Sequence, residues 1–225
     1  MCVLMRVLYS ASFCPLSRKL AFGLREKKIE FSEKQEVLSA PSRELLSANP
    51  GGDIPSFVDH SVVCGSDYVA CEYIDEAYPS PVLMGESPKN RAEVRRILHT
   101  FDSGFYQDVY LTLFYEKALK RMFEKNCPDT KVIKEAKSSL NRYMDFLNQL
   151  ADARKFLAGS FFSWADISAA SQVSCIDYIG DIQWNIHPHA KIWYMKIKSR
   201  PSFRQFLSQS FAGVPAVSWY RELDF

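Results

Sequence analysis

The chain has 225 residues, of which 47% are hydrophobic and 24% charged, a balance that excludes a disordered or fibrous protein. Its 28 basic and 26 acidic residues leave a net charge of only +2. Because the two signs are mixed along the chain rather than collected into blocks, the composition gives no indication of nucleic-acid binding.

Cysteine usage and hydropathy favour a cytoplasmic protein. The six cysteines include no C-x-x-C pair, and the chain does not begin with the pattern of a secretory signal peptide. We therefore expect reduced thiols. The longest uncharged stretches, such as residues 7–17 and 156–165, are shorter than the roughly 20 apolar residues needed to cross a bilayer. We expect no membrane span.

The first 80 residues predict a small α/β domain. Short β-branched runs indicate strands, and leucines at three- and four-residue spacing indicate helices between them. The first two strands, joined by a helix, are expected to be parallel. In chain order the predicted elements are a strand over residues 2–9, a helix over 16–28, a strand over 29–37, a helix over 41–48, hairpin strands over 56–59 and 62–64, and a helix over 66–78. The order βαβαββα results.

The remainder of the chain predicts a helical domain. Residues 81–90 belong to a Pro-, Ser- and Gly-rich stretch and serve as a linker. Beyond it, residues 132–150 repeat apolar side chains at helical spacing, so this helix must bury one stripe against others. We therefore divide the chain into an α/β domain (1–80), the linker, an all-helical domain (91–212) and a tail (213–225).

The turn between the first strand and the first helix is the best place for chemistry. Cys14 stands directly before Pro15 at the predicted start of that helix. The helix dipole and unpaired backbone N–H groups stabilise an anion there, which would lower the pKa of the thiol. The alternative is a small residue that fills a corner and is buried and inert.

Residues 13–18, FCPLSR, resemble the omega-class and related bacterial cysteine-type glutathione S-transferases. The resemblance implies a thioredoxin-like N-terminal domain followed by a helical bundle. It also implies glutathione as co-substrate and Cys14 as the reactive group. Ser12, Ser10 and Tyr9 are the alternatives, because other classes of the family use a hydroxyl near the end of this strand.

Residues 49–59, NPGGDIPSFVD, resemble a second motif of the same family. In that family the proline is cis, and the backbone of the residue before it pairs with the cysteinyl part of glutathione. The resemblance assigns these roles to Pro55 and Ile54. The alternative is an ordinary turn with a trans proline.

Residues 64–75 are similar to the family's helix that follows the hairpin and grips the γ-glutamyl group of glutathione. Where the family has Glu-Ser or Gln-Ser, this chain has Ser66 and Asp67, so the carboxylate is displaced by one position. Asp67 would meet the ammonium group of the ligand. Alternatively, Ser66 and Asp67 simply cap the helix.

The C-terminal half carries structural motifs. Ser163 and Asp166 have the spacing of a capping box, and they resemble the structural capping box of the family. Residues 200–203, RPSF, resemble an element near the family's last helices, so the resemblance covers about residues 3–207. His187 and His189 have no further ligand at suitable spacing, and we expect no metal.

Aromatic residues recur along one long predicted helix. They either line an apolar substrate pocket facing Cys14 or provide packing and a dimer surface. The residues are Phe101, Phe105, Tyr106, Tyr110, Phe114 and Tyr115.

Two functions remain open. The preferred prediction is an enzyme, a homodimer that uses glutathione for thiol transfer or conjugation to a disulfide or electrophilic small molecule, with Cys14 as nucleophile. The alternative is a non-catalytic interaction protein. The altered pair at residues 66–67 and the aromatic ending at 219–225 resemble glutathione-transferase-like bacterial proteins that bind the filament-forming GTPase FtsZ. Asp224 would then belong to the partner surface, unless the tail packs on its own domain.

Overall fold

The structure is a computed structural model that describes residues 6–120, 127–211 and 213–225. The chain divides into two compact units, the first ending at Met84 and the second beginning at Gly85. This division falls inside the predicted linker over residues 81–90. Residues 2–5 of the predicted first strand lie outside the described residues.

The N-terminal unit has the predicted order βαβαββα. Its sheet has the strand order β2-β1-β3-β4, in which β1 is parallel to β2 and antiparallel to β3, and β3 is antiparallel to β4. The predicted hairpin strands match the observed ones. The elements are β1 (Arg6–Ser10), α1 (Pro15–Glu26), β2 (Ser32–Gln35), α2 (Arg43–Ala48), β3 (Ser56–Asp59), β4 (Val62–Cys64) and α3 (Asp67–Ala77).

The second strand is shorter than predicted, because the turn after α1 extends further. Lys28 adopts a positive φ of 55°, and the N–H of Ile29 donates to the carbonyl of Leu24. These bonds close the C-terminal end of the helix in the manner of an αL cap. The chain therefore becomes extended only at Ser32.

Strand β1 is buried on both faces of the sheet, and alternate residues of a strand point to opposite sides. Val7 and Tyr9 of β1 pack with Leu45 of α2. Leu8, between them, is fully buried on the other face. The helices on both sides thus fix the end of β1, where the turn containing Cys14 begins.

The second unit is helical. Its elements are α4 (Pro88–His99), α5 (Thr100–Leu119), α6 (Thr130–Ala153), α7 (Trp164–Tyr178), α8 (Pro188–Lys198) and α9 (Pro201–Leu207), with short 3₁₀ turns at Trp184–Ile186 and Ser218–Arg221. α4 begins inside the predicted linker, because Ser87 caps it by accepting from the N–H of Asn90 and Pro88 suits its first turn. α5 continues α4 as a π-helix.

Helix α7 forms the centre of this unit. Every residue from Trp164 to Tyr178 is buried, as expected for a helix with neighbours on all sides. α6 buries the stripe that its sequence predicts, including Leu140 and Leu147. Among the described helices, none combines the length and the apolar character that a bilayer crossing requires.

Candidate functional site

The turn between β1 and α1 has an unusual backbone. Phe13 adopts a positive φ of 58°, which is uncommon for a bulky residue and costs conformational energy. Two hydrogen bonds hold the turn: the N–H of Cys14 donates to the carbonyl of Ala11 at 3.2 Å, and the N–H of Ala11 donates to Oγ of Ser17 at 3.1 Å. Cys14 is consequently the N-cap residue of α1, with Pro15 at the first helical position.

Cys14 lies in the interior, with only 2% of its surface exposed. Burial raises the pKa of its thiol, although hydrogen bonds from Ser17 and Leu16 act in the opposite direction. The predicted lowering of this pKa is therefore wrong. The helix N-terminus does point at the sulfur, but the desolvation of a thiolate outweighs it.

The hydroxyl groups near the end of β1 differ in accessibility. Ser12 is exposed and donates to Oε1 of Gln35 at 2.8 Å. Ser10 is buried, donates to Glu33 and accepts from Gln35. Burial also raises the pKa of Tyr9. Of these candidates, Ser12 is the one at the surface.

The loop before β3 carries the second motif. The peptide bond between Ile54 and Pro55 is cis, as predicted. Within the described part of the chain, the backbone N–H and carbonyl of Ile54 form no hydrogen bond. Asn49 braces the loop by donating from Nδ2 to Oγ of Ser56 at 3.0 Å. An open backbone edge at Ile54 is suited to pairing with a peptide-like ligand.

The third motif meets the second. A Cβ added at Gly65 would lie 2.7 Å from Nδ2 of Asn49, so the cis-proline loop and the start of α3 are in close contact. Ser66 is the N-cap of α3, but its side chain accepts no capping hydrogen bond within that helix. The fold thus brings the loop that carries Ile54 next to the start of α3, which carries Ser66 and Asp67.

Asp67 already has a cationic partner. Its Oδ2 accepts from Nζ of Lys19, a side chain of α1 with no exposed surface. The sequence pattern places Lys19 on the polar side of α1 and does not predict this contact. The only available signal was the carboxylate displaced to position 67, since an ion pair between distant positions leaves no periodic pattern.

Arg18 is buried beside the same turn. Its guanidinium lies 4.3 Å from the ring centroid of Phe13, at a distance typical of a cation–π contact. With Lys19, it places two cationic groups in the interior at the start of α1. Of these two cations, Lys19 is paired with Asp67, and Arg18 packs on Phe13.

The capping box of the second unit is present as predicted. The Oγ of Ser163 accepts from the N–H of Ala165, and Oδ2 of Asp166 accepts from the N–H of Ser163. The other oxygen of Asp166 accepts from the N–H of Leu157 and from Nε1 of Trp193. Burial raises the pKa of Asp166 to about 6. This cluster is structural.

The predicted aromatic row forms part of the core of the second unit. Phe101, Phe105 and Phe114 are fully buried. Tyr110 stacks on Phe114 with ring centroids 5.1 Å apart, and on Tyr106 at 5.2 Å. Packing therefore accounts for most of the row.

The C-terminal tail, residues 213–225, packs on its own unit. Nε1 of Trp219 donates to Oδ1 of Asp177 at 3.3 Å, and Nζ of Lys198 donates to the carbonyl of Trp219 at 3.3 Å. Lys198 also lies 4.1 Å from the ring centroid of Phe225. Asp224 stays exposed.

Among the described residues, the histidines and the cysteines outside the turn form no metal-binding cluster and no disulfide. His187 is buried, and burial lowers its pKa. Among the described residues, no group of three or more potential ligands is placed to hold a metal ion. The five cysteines among the described residues have free thiols.

Comparison with known proteins identifies the family. Residues 8–85 match the N-terminal domain of glutathione S-transferases, and residues 113–210 match the C-terminal domain. The chain is 36% identical to FtsZ-localized protein A of Caulobacter vibrioides over 98% of each chain.

Solved structures agree in fold over nearly the whole chain. A glutathione S-transferase from Rhodospirillum rubrum F11 superposes with a TM-score of 0.92 at 36% identity, covering 98% of this chain and 100% of that one. FzlA from C. crescentus superposes with a TM-score of 0.93 at 35% identity, covering 99% and 100%. The chain therefore belongs to the glutathione S-transferase family.

Proposed function

We propose that this protein is a non-catalytic member of the glutathione S-transferase family that binds FtsZ. The similarity to FtsZ-localized protein A supports this proposal, because it extends over 98% of both chains and is not confined to one domain. A fold shared with enzymes does not by itself imply their chemistry. The residues of the site must decide between the two functions.

The observation that carries the proposal is the ion pair between Lys19 and Asp67. The family resemblance assigns Asp67 to the ammonium group of glutathione, and Nζ of Lys19 is an ammonium group that already contacts this carboxylate. Lys19 is fully buried, and its ion pair with Asp67 supplies a partner for its charge in the interior. A ligand would have to displace it.

The state of Cys14 also supports a non-catalytic protein. A thiolate is the nucleophile in thiol chemistry. Burial raises the pKa of Cys14, which disfavours the thiolate. The enzymatic hypothesis requires a thiolate at Cys14, and burial of the thiol opposes its formation.

Co-sedimentation with FtsZ assembled in GTP tests the proposal. We expect the protein to pellet with FtsZ in GTP and to stay in the supernatant in GDP. Asp224, exposed on the tail, is proposed to lie in the contact, so Asp224→Lys should reduce pelleting. Glu135→Lys, which reverses an exposed charge on α6, serves as the matched control. Equal recovery in the pellet with and without FtsZ would contradict the proposal.

Glutathione-dependent thiol transfer is the second candidate, and the open backbone of Ile54 favours it. In this reaction the Cys14 thiolate attacks the glutathionyl sulfur of a mixed disulfide and releases the substrate thiol. A glutathione thiolate then attacks the Cys14–glutathione disulfide, which yields oxidised glutathione and regenerates Cys14. In a conjugation reaction with an electrophile, the hydroxyl of Ser12 would instead stabilise the thiolate of glutathione.

Turnover assays distinguish these possibilities. Glutathione would be supplied with hydroxyethyl disulfide or with chlorodinitrobenzene. Loss of disulfide reduction in Cys14→Ser, with conjugation lost only in Ser12→Ala, would support the enzyme. Absence of turnover in the wild type with both substrates would reject it.

We also propose that the protein is a homodimer. Apolar side chains are exposed on β4 and at the start of α3, where Val62, Val63, Tyr68 and Val69 are 38%, 42%, 42% and 53% exposed. Exposed apolar side chains are typical of subunit interfaces, and most homodimers are two-fold symmetric. Light scattering should give twice the mass of 25.8 kDa. Val69→Asp should give the monomer.

A further inference from the structure

A groove with two arginines lies between the end of α9 and the tail. It is open to solvent and has a volume of about 330 Å³. The proposed function does not use it. Its lining residues, which define what we call the arginine groove, are Arg204, Leu207, Ser208, Arg221 and Leu223.

The tail forms a fixed wall of the arginine groove. Tyr220 is fully buried, and its hydroxyl donates to the carbonyl of Phe206 in α9 at 3.3 Å. The N–H of Val217 donates to the carbonyl of Tyr178 at 3.1 Å. A Cβ at Gly180 would lie 2.5 Å from Cγ1 of Val217, so the tail approaches α7 closely. The groove is consequently preformed.

The charge in the groove is not neutralised by the chain itself. Nε of Arg204 donates to the carbonyl of Ser199 at 3.1 Å, which orients this guanidinium. Within the described ranges, Arg221 makes no hydrogen bond or ion pair through its side chain. The neighbouring tail carboxylates, Glu222 and Asp224, form no ion pair with either arginine in the same ranges. Two arginines without a carboxylate partner in these ranges therefore line one open volume.

The floor of the groove is apolar. Leu207 is 6% exposed, and Leu223 is half-buried. Guanidinium groups bind carboxylates through pairs of parallel N–H bonds, whereas the leucines require an apolar side chain. A small inorganic anion would leave the leucines unused. The lining thus suits a ligand that carries carboxylate and aliphatic groups side by side.

A second cavity extends the surface. Arg221 also lines a cavity of about 650 Å³ together with Pro215 and Val217. The two cavities share this arginine and so lie on either side of the same side chain. An extended peptide, whose side chains alternate, fits such a surface better than a compact metabolite.

We propose that the arginine groove binds a short acidic segment of a partner protein, in which Asp or Glu residues alternate with aliphatic ones. This inference goes beyond the proposed function, because it requires neither FtsZ nor glutathione. It assigns Arg204 and Arg221 to the carboxylates and Leu207 and Leu223 to the aliphatic side chains.

A random heptapeptide phage library, panned on the full-length protein, tests the proposal. Peptides that also bind the Arg204→Gln/Arg221→Gln variant are removed by counter-selection. We expect the enriched set to carry acidic and aliphatic residues in alternation. Fluorescence anisotropy then measures a labelled synthetic heptapeptide of the enriched sequence and its Asn/Gln counterpart.

Each single Arg→Gln change should weaken binding of this peptide about fivefold, as expected for one partly exposed charge pair. The amide counterpart should bind at least tenfold more weakly. Arg43→Gln, which removes an exposed arginine in the other unit, should leave binding unchanged. Thermal unfolding of each variant checks that the fold is retained.

Three results would overturn the proposal: no enriched peptide set, binding that survives both arginine substitutions, or equal affinity of the amide peptide. Vesicles containing phosphatidylglycerol and a single-stranded RNA serve as competitors. If either bound more tightly than the peptide in an arginine-dependent manner, the groove would belong to a phosphate ligand instead. None of these outcomes depends on FtsZ, so failure here and failure of the FtsZ proposal remain separate.

Discussion

Replacing Lys19 with Met should convert the site into one that binds glutathione. The substitution keeps the length of the side chain but removes the ammonium group that contacts Asp67. The carboxylate then becomes available to the ammonium group of the ligand. The backbone of Ile54, which forms no hydrogen bond within the described residues, is already open.

The size of the effect follows from the burial of the pair. Removing one partner of a buried ion pair costs about 3–5 kcal/mol. Because the Asp67 side chain is 20% exposed, solvent screening reduces this to about 2 kcal/mol of unfolding free energy. For a chain of this size that lowers Tm by about 4–8 °C. Glutathione at ten times its dissociation constant would restore about 1.4 kcal/mol.

Thermal unfolding with and without 10 mM glutathione measures both effects. Asp67→Asn is the matched control, since it breaks the same pair but leaves no carboxylate for the ligand. We expect glutathione to raise Tm of Lys19→Met and to leave Tm of the wild type and of Asp67→Asn unchanged. A wild-type protein stabilised as much as the Lys19 variant would refute the role given to this ion pair.

Three further predictions concern the second unit. Burial raises the pKa of Asp177 to about 6, above its usual 3.8, so its contribution to stability is complete below pH 3.8 and is lost as pH rises through 6. In urea titrations, the unfolding free energy should therefore fall less between pH 4 and 7 in Asp177→Asn than in the wild type. The difference between the two falls should be about 1–3 kcal/mol. Ser163→Ala should cost about 1–2 kcal/mol through loss of the cap, whereas Ser160→Ala, at an exposed position, should change stability by less than about 0.5 kcal/mol; equal effects would argue against the capping role. Trp219→Phe should cost about 1 kcal/mol by removing one hydrogen bond to Asp177, and an unchanged urea midpoint would show that this bond does not hold the tail.

Local signals in the sequence predicted most of the N-terminal unit. The hairpin strands were predicted with their observed bounds, because a tight polar turn and short β-branched runs determine them locally. Ser163 and Asp166 were predicted as a cap because their spacing alone defines the motif. The cis peptide bond before Pro55 was predicted from the family resemblance.

The site chemistry depended on contacts that the sequence does not encode locally. The helix N-terminus at Cys14 was predicted correctly, but its effect on the thiol was not, since burial by surrounding elements dominates the pKa. The pairing of Lys19 with Asp67 joins residues 48 positions apart. The start of α4 at Pro88 was missed because Pro and Ser suit a linker and a helix start equally.

Co-sedimentation with GTP-assembled FtsZ, repeated in 10 mM glutathione, tests the central proposal most directly. We expect saturable recovery of the protein in the FtsZ pellet, with the same half-saturation whether or not glutathione is present. A protein that stays in the supernatant with FtsZ filaments, and that glutathione stabilises against heat, would contradict it and restore the enzymatic hypothesis.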